Sequence, residues 1–271
     1  MKANVDFIKT FSFRNLSGFS EIRHFISTRV GGCSPPPFDS LNIGFHTADS
    51  HANVLENRKR LFNHLGIPLD YLVTAKQVHG DRVAIITQGI HQCGAYDYHS
   101  AIEATDSLVT NIPGRCLMVQ VADCTPILLY DPLNHVIAAI HAGWRSSVQL
   151  IAKKTVCAMI DTYKCRPENI VAGIGPSIGP CCYEVGPEVI AGVQQAMGTL
   201  EGLLENGVRS DQPHLNLWEV NRRQLLEVGV REENVEIMRL CTRCHSDLFF
   251  SERACRGTGR FGVGIMLTGE R

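Results

Sequence analysis

Three residues of the kinds that bind metals stand beside apolar, β-rich runs of the sequence. His79 precedes one run, Cys124 directly follows another, and His141 ends a third. One thiolate and two imidazoles suit zinc, and three protein ligands leave a fourth coordination position for water or substrate. The residues are 45 and 17 positions apart, which matches no compact zinc motif. From spacing alone, three separate buried or hydrogen-bonded side chains are the simpler interpretation, and a catalytic metal site stays open.

The elements that must position these residues are predicted from the spacing of apolar side chains. Helices are predicted over Ser50–Leu65, Ser147–Tyr163, Pro187–Met197 and Leu217–Val228. Strands are predicted over Ile22–Ser27, Val83–Thr87, Cys116–Val121, Pro126–Tyr130, Val136–Ile140, Ile170–Ala172, Val235–Met238 and Phe261–Met266. The third, fourth and fifth strands follow one another too closely for helical crossovers, so we expect antiparallel pairing among them. The pattern predicts an α+β fold.

The composition is that of an ordinary globular protein. Of the 271 residues, 44% are hydrophobic and 20% are charged, and the net charge is −1. Such a balance provides no basic surface for nucleic acid or for an anionic membrane. No apolar run reaches the ~20 residues of a membrane span. Because there is no repeat and no long linker, we expect residues 1–271 to form a single domain.

The cysteines and the N-terminus predict a reduced, cytoplasmic protein. Met1–Asp6 is not followed by the apolar segment of a secretion signal. The chain has 11 cysteines, an odd number, and in a reducing compartment they favour metal or thiol chemistry over disulfides. The pair Cys181–Cys182 is either buried and reduced or a redox-sensitive dithiol. Cys241–His245 matches the haem attachment pattern, which normally requires export, so we expect that match to be incidental.

Eight short motifs, taken in order, resemble the YfiH or laccase-domain family. They are Arg29–Gly32, Ser40–Gly44, Glu56–Arg58, Gln77–Gly80, Ala122–Pro126, His141–Arg145, Gly173–Pro180 and Phe249–Ser251. The resemblance runs from about residue 20 to about residue 267, nearly the whole chain. Any one motif would be weak evidence, but eight in the same order make the resemblance specific.

The resemblance implies a fold, a metal site and a set of activities. The fold has mixed β-layers covered by helices on the outside, in an α/β/β/α arrangement. The metal is zinc, and its ligands fall on His79, Cys124 and His141 of this sequence. Members are associated with purine nucleoside phosphorolysis, methylthioadenosine cleavage and adenosine deamination. An older label is polyphenol oxidase or laccase, and some bacterial relatives are linked to editing of peptidoglycan precursors.

Two of these activities make demands that the sequence can test. A multicopper laccase typically has His-x-His pairs that bridge copper ions, and none of the 11 histidines is two positions from another. A true laccase is therefore excluded, although a single copper site is not. The His-x-Glu and Pro-Cys-x-x-Cys signature of nucleotide deaminases is also missing. Adenosine deamination would thus require water activated at a different metal geometry.

Phosphorolysis requires cations for phosphate, and three arginines are candidates. Arg29 is followed by Gly31 and Gly32, whose backbone N–H groups could help to bind an anion. Arg58 lies on the first predicted helix and is as readily a solvated side chain. Arg145 follows His141 and is as readily an ion-pair partner. Because Arg29 fits the family motif best, we predict that it binds phosphate or substrate.

Other polar residues near the motifs carry weaker expectations. Asp123 is expected to face away from the metal, because adjacent residues of a strand point to opposite faces. Asn42 and Asp49 have turn and capping roles at least as readily as site roles. Ser251–Ala254 departs from the Ser-Tyr-Arg-Arg pattern of relatives, which makes the substrate less certain to carry over.

The sequence as a whole predicts a zinc-dependent purine nucleoside phosphorylase that cleaves inosine, adenosine or methylthioadenosine, with adenosine deamination as an accompanying activity. His79, Cys124 and His141 would bind Zn²⁺, with copper as the alternative metal, and Arg29 would complete the catalytic set. The rival enzymes are a peptidoglycan-precursor hydrolase with Cys124 as nucleophile and a copper-dependent polyphenol oxidoreductase. The non-enzymatic rival is a zinc- or thiol-sensing module, which a fourth protein ligand on the metal at His79, Cys124 and His141 would favour.

Overall fold

The computed structural model of the chain describes residues 7–206 and 212–269. Met1–Asp6, which carry the prediction about secretion, lie outside these ranges. The helices are α1 (His51–Leu65), α2 (Trp144–Val148), α3 (Ile151–Tyr163), α4 (Pro187–Met197) and α5 (Leu217–Glu227). The strands are β1 (Thr10–Phe11), β2 (Ile22–Ser27), β3 (Leu72–Val73), β4 (Val83–Ile85), β5 (Ser107–Thr110), β6 (Cys116–Val121), β7 (Thr125–Asp131), β8 (Val136–Ala142), β9 (Val171–Ile174), β10 (Leu204–Asn206), β11 (Pro213–Leu215), β12 (Val235–Ile237) and β13 (Phe261–Leu267).

Two mixed sheets form the centre of the fold. The first has the strand order β1-β2-β13-β6-β3 and the second has the order β12-β9-β7-β8-β5-β4. A separate antiparallel pair joins β10 and β11. Both large sheets contain parallel and antiparallel pairs. In the first sheet, β6 pairs parallel with β3 and antiparallel with β13. In the second sheet, β9 pairs parallel with β12 and antiparallel with β7. The predicted α+β class is confirmed.

Because side chains alternate along the strands, one apolar core lies between the two large sheets and one further core lies on the outer face of each sheet. In β7, Leu128 and Tyr130 belong to the core between the sheets, whereas Ile127 and Leu129 pack with the core that includes helices α3 and α5. In β6, the odd-numbered apolar residues face the other sheet and the even-numbered face packs with α1. Period-2 alternation with both faces buried produces this layering. The layers are therefore helix, sheet, sheet and helix, as the family resemblance implies.

The expected antiparallel pairing among three successive strands is only partly correct. β7 and β8 pair antiparallel over seven residues, from Thr125–Ala142 to Asp131–Val136. β6, however, belongs to the other sheet, where it lies between β13 and β3. The chain changes sheets across residues 122–124, where Asp123 has a φ of 86°. Short gaps exclude a helical crossover but do not exclude a step between two stacked sheets, which is why the prediction failed for β6.

The long helix predicted over Ser147–Tyr163 is two helices in the structure. α2 ends at Val148 and α3 begins at Ile151, with Leu150 between them at a φ of 64°. A leucine is a poor marker of such a break, since left-handed conformations favour glycine and asparagine. The prediction for α1 is accurate to one residue.

The caps of α1 follow from its sequence. The Ser50 side chain accepts a hydrogen bond from the backbone N–H of Asn53, and Gly66 ends the helix at a φ of 64°. Within residues 7–206 and 212–269, no helix combines the length and the apolar character that a membrane crossing would need.

Candidate metal centre

The structure brings His79, Cys124 and His141 into one group. Their nearest ligand atoms all lie within 4.8 Å of one another. His79 lies in the loop between β3 and β4, Cys124 in the step from β6 to β7, and His141 in β8. The two imidazole rings are 4.9 Å apart between centroids, at an angle of 70°. Three residues far apart in sequence thus present one sulfur and two imidazoles to a single point.

A buried carboxylate that the sequence did not reveal holds both histidines. Asp106 Oδ1 accepts a hydrogen bond of 2.7 Å from His141 Nδ1, and it also accepts the backbone N–H of His79 at 3.0 Å. Asp106 Oδ2 accepts the backbone N–H groups of Val78 and Gly80. Because Nδ1 of His141 is occupied, Nε2 is the ring nitrogen that remains for a ligand. A carboxylate behind a histidine is the usual way to fix the tautomer of a metal ligand.

The charges of the group are prepared for a metal cation. Burial alone would raise the pKa of Cys124, but the imidazoles of His141 and His79 outweigh burial and lower the pKa of the thiol to about 6. Burial alone would lower the pKa of His141, but Cys124 and Asp106 raise it to about 9. The metal-free protein therefore holds a thiolate beside an imidazolium at neutral pH. A metal cation that displaces a proton from the His141 imidazolium would find the Cys124 sulfur already ionised.

Gly143 leaves the room in which these side chains meet. A Cβ atom at this position would lie 2.9 Å from Cδ2 of His79 and 3.0 Å from Sγ of Cys124. Gly143 has a φ of −70°, which any residue can adopt, so its requirement for glycine is one of space rather than of backbone conformation. The glycine that follows the β8 strand is thus explained by the close packing of the His79 and Cys124 side chains against its Cα.

A cavity of about 550 Å³ opens over the group. Its lining includes apolar and aromatic side chains, namely Ala122, Trp144, Ile178 and Tyr183. Its polar lining consists of Gln77, His79, Gln120, Asp123, Cys124, His141, Glu252, Arg253, Arg256 and Arg260. A concave site with aromatic walls and a few convergent polar groups is typical of a small-molecule site.

Three arginines at the cavity differ in how firmly they are held. Arg253 donates from Nη1 to the carbonyl of Glu184, and its guanidinium lies 5.3 Å from the centroid of the Tyr183 ring. Arg260 Nη1 donates to two backbone carbonyls and lies 3.2 Å from a carboxylate oxygen of Glu252. In the described part of the chain, no hydrogen bond or ion pair engages the guanidinium of Arg256. Arg256 is therefore the cavity cation most available to an anion.

Gln120 offers an unused acceptor at the same cavity. Its backbone is clamped by Gln77, whose amide donates to the carbonyl of Gln120 and accepts from its N–H. The side-chain oxygen of Gln120 is buried, and among residues 7–206 and 212–269 it has no hydrogen-bond partner. A buried acceptor without a partner is costly, which a donor on a bound molecule would relieve.

The structure does not bring Arg29 to this cavity. Its Nε donates to the carbonyl of Asp39, its Nη1 donates to the carbonyl of Ser246, and its Nη2 lies 3.1 Å from a carboxylate oxygen of Asp39. The guanidinium also stacks 4.8 Å from the centroid of the Phe250 ring. Arg29 lines a different cavity, of about 360 Å³. Its role as a phosphate ligand stays a prediction, which rested on the family motif that contains Arg29.

The other arginines weighed from the sequence have structural partners. Arg58 is 1% exposed, so it is not the solvated side chain that its helix position allowed. Its Nε donates to the carbonyl of Ile43, and it stacks 4.1 Å from the centroid of the Phe45 ring. Arg145 stacks 4.3 Å from the centroid of the adjacent Trp144 ring. Arg145 therefore supports an aromatic wall of the cavity.

Three further polar residues weighed from the sequence hold loops of the fold. Asp123 lines the cavity and accepts hydrogen bonds from Thr242 Oγ1 at 2.6 Å and from the backbone N–H of Arg253 at 2.7 Å. The expectation that Asp123 faces away assumed a continuous strand, whereas the chain turns there. Asn42 and Asp49 bond to each other within the loop that precedes α1, which is the turn role anticipated for them.

Comparison with known proteins identifies the family. The model of the family described as "Multi-copper polyphenol oxidoreductase laccase" matches residues 23–268. The chain belongs to this family. A purine nucleoside phosphorylase of Bacteroides thetaiotaomicron is 35% identical over 256 residues, 94% of this chain and 95% of the relative. A protein named adenosine deaminase RL5, from an unknown prokaryotic organism, is 33% identical over 266 residues, 96% of this chain and 97% of the relative.

Solved structures of related proteins have the same fold as this chain. The crystal structure of the hypothetical protein YfiH from Bacillus licheniformis superposes with a TM-score of 0.86 at 37% identity. The match covers 91% of this chain and 92% of that chain. The resemblance inferred from eight motifs is confirmed, and with it the layered fold. The chain is an enzyme of this family, with a group of side chains suited to a metal.

Proposed function

We propose that this chain is a Zn²⁺-dependent purine nucleoside phosphorylase whose metal is held by His79, Cys124 and His141. The observation that carries the proposal is the meeting of three metal-binding atoms within 4.8 Å, beside a cavity of about 550 Å³ that also presents three arginines. Nucleoside phosphorolysis needs a site for phosphate and a surface for the base, and a metal at the centre would add a Lewis acid. The relatives named purine nucleoside phosphorylase support this choice of reaction.

The donor set fits Zn²⁺. The sulfur of Cys124 is ionised near neutral pH, and Asp106 fixes His141 so that one ring nitrogen is free for the metal. One thiolate and two imidazoles are common zinc ligands, and three protein ligands leave a position for a substrate oxygen or water. When bound there, Zn²⁺ supplies a Lewis acid that polarises an oxygen ligand. Copper is the alternative metal, since it accepts the same sulfur and nitrogen donors.

In phosphorolysis, an oxygen of hydrogen phosphate forms a bond to C1′ of the ribose while the bond from C1′ to the base nitrogen breaks. The base leaves with the electron pair of that bond and takes the proton that hydrogen phosphate gives up. The residues of this chain would bind and orient the two reactants. Trp144 and Tyr183 offer aromatic faces to a purine, and the unpartnered oxygen of Gln120 can accept a hydrogen bond from a base or ribose donor.

Phosphate needs a cation, and we assign Arg256 this role. Its guanidinium faces the cavity without an intramolecular partner in the described residues, whereas Arg29 is held by Asp39, Ser246 and Phe250. Arg29→Ala and Arg256→Ala, measured side by side, decide between them. The enzyme whose KM for phosphate rises identifies the ligand. An Arg29→Ala enzyme with unchanged rate and unchanged phosphate dependence removes Arg29 from the catalytic set.

The proposed function is tested by following release of free base from inosine, adenosine and methylthioadenosine, with and without phosphate, on protein of measured metal content. We expect one equivalent of zinc at this centre and base release that depends on phosphate. Cys124→Ala should lose that metal and the activity together. Cys33→Ser, which changes an exposed thiol far along the chain from the centre, is the matched control and should keep both. Zinc-loaded protein that releases no base from any of the three nucleosides would contradict the proposal.

One observation favours a second candidate function. A half-buried thiolate beside an imidazolium is also the arrangement of a cysteine nucleophile, so Cys124 is suited to an amide or ester hydrolase that acts on a cell-wall precursor. A covalent acyl-enzyme on Cys124, trapped by acid quench and seen by mass spectrometry, would establish that function. Alkylation of Cys124 that zinc blocks would favour metal binding instead. Ammonia release from adenosine without phosphate measures the deaminase activity separately.

A further inference from the structure

Four cysteines form a second group, apart from the three residues already described. Cys181 and Cys182 lie in the segment between β9 and α4, and Cys241 and Cys244 lie between β12 and β13. β9 and β12 are parallel neighbours, so the segments that follow them leave the sheet at the same edge. A bridge between Ser177 and Cys241 extends that pairing into the two segments. The fold thus joins a cysteine pair and a Cys-x-x-Cys motif that are about 60 residues apart in sequence.

The sulfur atoms already lie at the separations of a metal site. All four Sγ atoms lie within 4.8 Å of one another. Cys244 Sγ is 3.6 Å from Cys181 Sγ and 3.5 Å from Cys182 Sγ. Zn–S bonds of ~2.3 Å in a tetrahedron place neighbouring sulfurs about 3.8 Å apart. The two measured separations are close to that edge and far longer than the ~2.05 Å bond of a disulfide.

The backbone around the group supplies donors to sulfur. The N–H of Gly179 donates to Cys241 Sγ at a distance of 3.3 Å. Cys241 is 5% exposed, while Cys181 and Cys244 are exposed to solvent. Four sulfurs crowded in this way repel one another when they are ionised, and a dication removes that repulsion. Solvent can reach the group from the exposed side, so a metal has a path of entry.

We propose that Cys181, Cys182, Cys241 and Cys244 bind a second Zn²⁺ in a closed, four-sulfur site. On binding, Zn²⁺ forms four Zn–S bonds and the thiol protons are released to solvent, with no change in oxidation state. Four protein ligands leave no position for substrate, so this metal is structural. The site does not depend on the proposed nucleoside chemistry, because it shares no ligand with His79, Cys124 and His141.

The second site would hold two walls of the cavity together. Tyr183, which lines the cavity, directly follows Cys182 in the sequence. Thr242 directly follows Cys241 and donates to Asp123, the neighbour of Cys124. A metal that cross-links the two segments therefore fixes Tyr183 and the Thr242–Asp123 hydrogen bond in relation to each other. Its loss should loosen the cavity without removing the first metal.

The experiment measures metal stoichiometry on full-length protein reduced, loaded with zinc and freed of excess metal. We expect two zinc ions per chain. The double variant Cys181→Ser/Cys244→Ser, which changes the two exposed sulfurs, should retain one, and Cys124→Ala should retain the other. Cys33→Ser, the exposed-cysteine control, should retain both.

Cobalt substitution adds a second readout, the number of sulfur ligands on each bound ion. Thiolate-to-cobalt absorption per bound ion grows with the number of sulfur ligands. It should therefore be several-fold stronger in Cys124→Ala, where only the four-sulfur site remains, than in the double variant. Wild-type protein that shows only the weak absorption of one sulfur ligand per bound cobalt, whether it binds one ion or two, overturns the proposal. A disulfide within the group that persists after reduction with a strong thiol reductant, shown by peptide mapping, overturns it as well.

Discussion

Replacing Asp106 by asparagine should separate the metal affinity of the centre from the stability of the fold. Asp106 is 1% exposed and accepts four hydrogen bonds, one from the His141 ring and three from the backbone N–H groups of Val78, His79 and Gly80. Asparagine keeps the shape but supplies one acceptor oxygen in place of two and loses the negative charge. The bond to His141 Nδ1 is thus either lost or no longer charge-assisted.

The expected loss of zinc affinity follows from the strength of the hydrogen bond between Asp106 and His141. A hydrogen bond to a charged group contributes about 1.5–3 kcal/mol. At about 1.4 kcal/mol per tenfold change, that range corresponds to about 10- to 100-fold weaker zinc binding, the range seen for partners of this kind behind metal ligands. Loss of the carboxylate also removes a cause that raises the pKa of His141, so that pKa should fall.

The assay is competition for zinc with a chelator of known affinity, together with chemical denaturation of the metal-free protein. Asp131→Asn is the matched control, because Asp131 is equally buried and accepts the N–H groups of Leu133 and Asn134 at the opposite end of β7 from the centre. Both variants should lose stability, and Asp106→Asn alone should lose zinc affinity. Equal zinc affinity in the two variants would refute the argument that Asp106 positions the ligands.

Four further results are expected. Gly143→Ala should weaken zinc binding about tenfold or more, as measured by the same chelator competition, because its methyl group would meet the histidine ring and the sulfur at 2.9 and 3.0 Å. The pKa of Cys124 is lowered to about 6, so the thiolate form is lost only below that pH. In metal-free protein, the rate at which iodoacetamide alkylates this thiol should therefore rise through pH 6 rather than near pH 9. A midpoint near pH 9 would show that His141 does not stabilise the thiolate. Arg256→Ala should raise the KM for phosphate about tenfold, because a hydrogen bond to a charged group contributes about 1.5 kcal/mol. Arg166→Ala, which changes an exposed arginine, is the control. Equal KM values for phosphate in the two variants would count against the assignment. If residues 1–271 form a single domain, denaturant unfolding should follow one transition by fluorescence and by circular dichroism, and two separated transitions would contradict it.

The sequence determined the local elements and the identity of the family. Helix α1 is bounded by a serine cap and a left-handed glycine, both of which are short-range features that a pattern of residues records. Strand β8 is apolar at every position except His141, so its existence is visible in composition alone. The motifs that contain His79, Cys124 and His141 are short and continuous, and their order was sufficient to predict the family and the ligand set.

Only the tertiary structure decided which distant residues meet. Asp106 is one acidic residue among 27 Asp and Glu, and nothing local indicates that it lies behind His141. Strand β6 was assigned to the wrong neighbours, because two stacked sheets and one continuous sheet can have the same short connections.

The two cysteine pairs and the two sets of arginines show the same division. Cys181–Cys182 and Cys241–Cys244 are separate local patterns until β9 and β12 pair in parallel and bring their following segments together. Arg29 fits a family motif, yet its partners hold it away from the cavity that Arg256 faces. Local structure depends on contacts a few residues apart, which the order of side chains records. The composition of a site depends on contacts between segments tens of residues apart, and these exist only once the sheets have paired and packed.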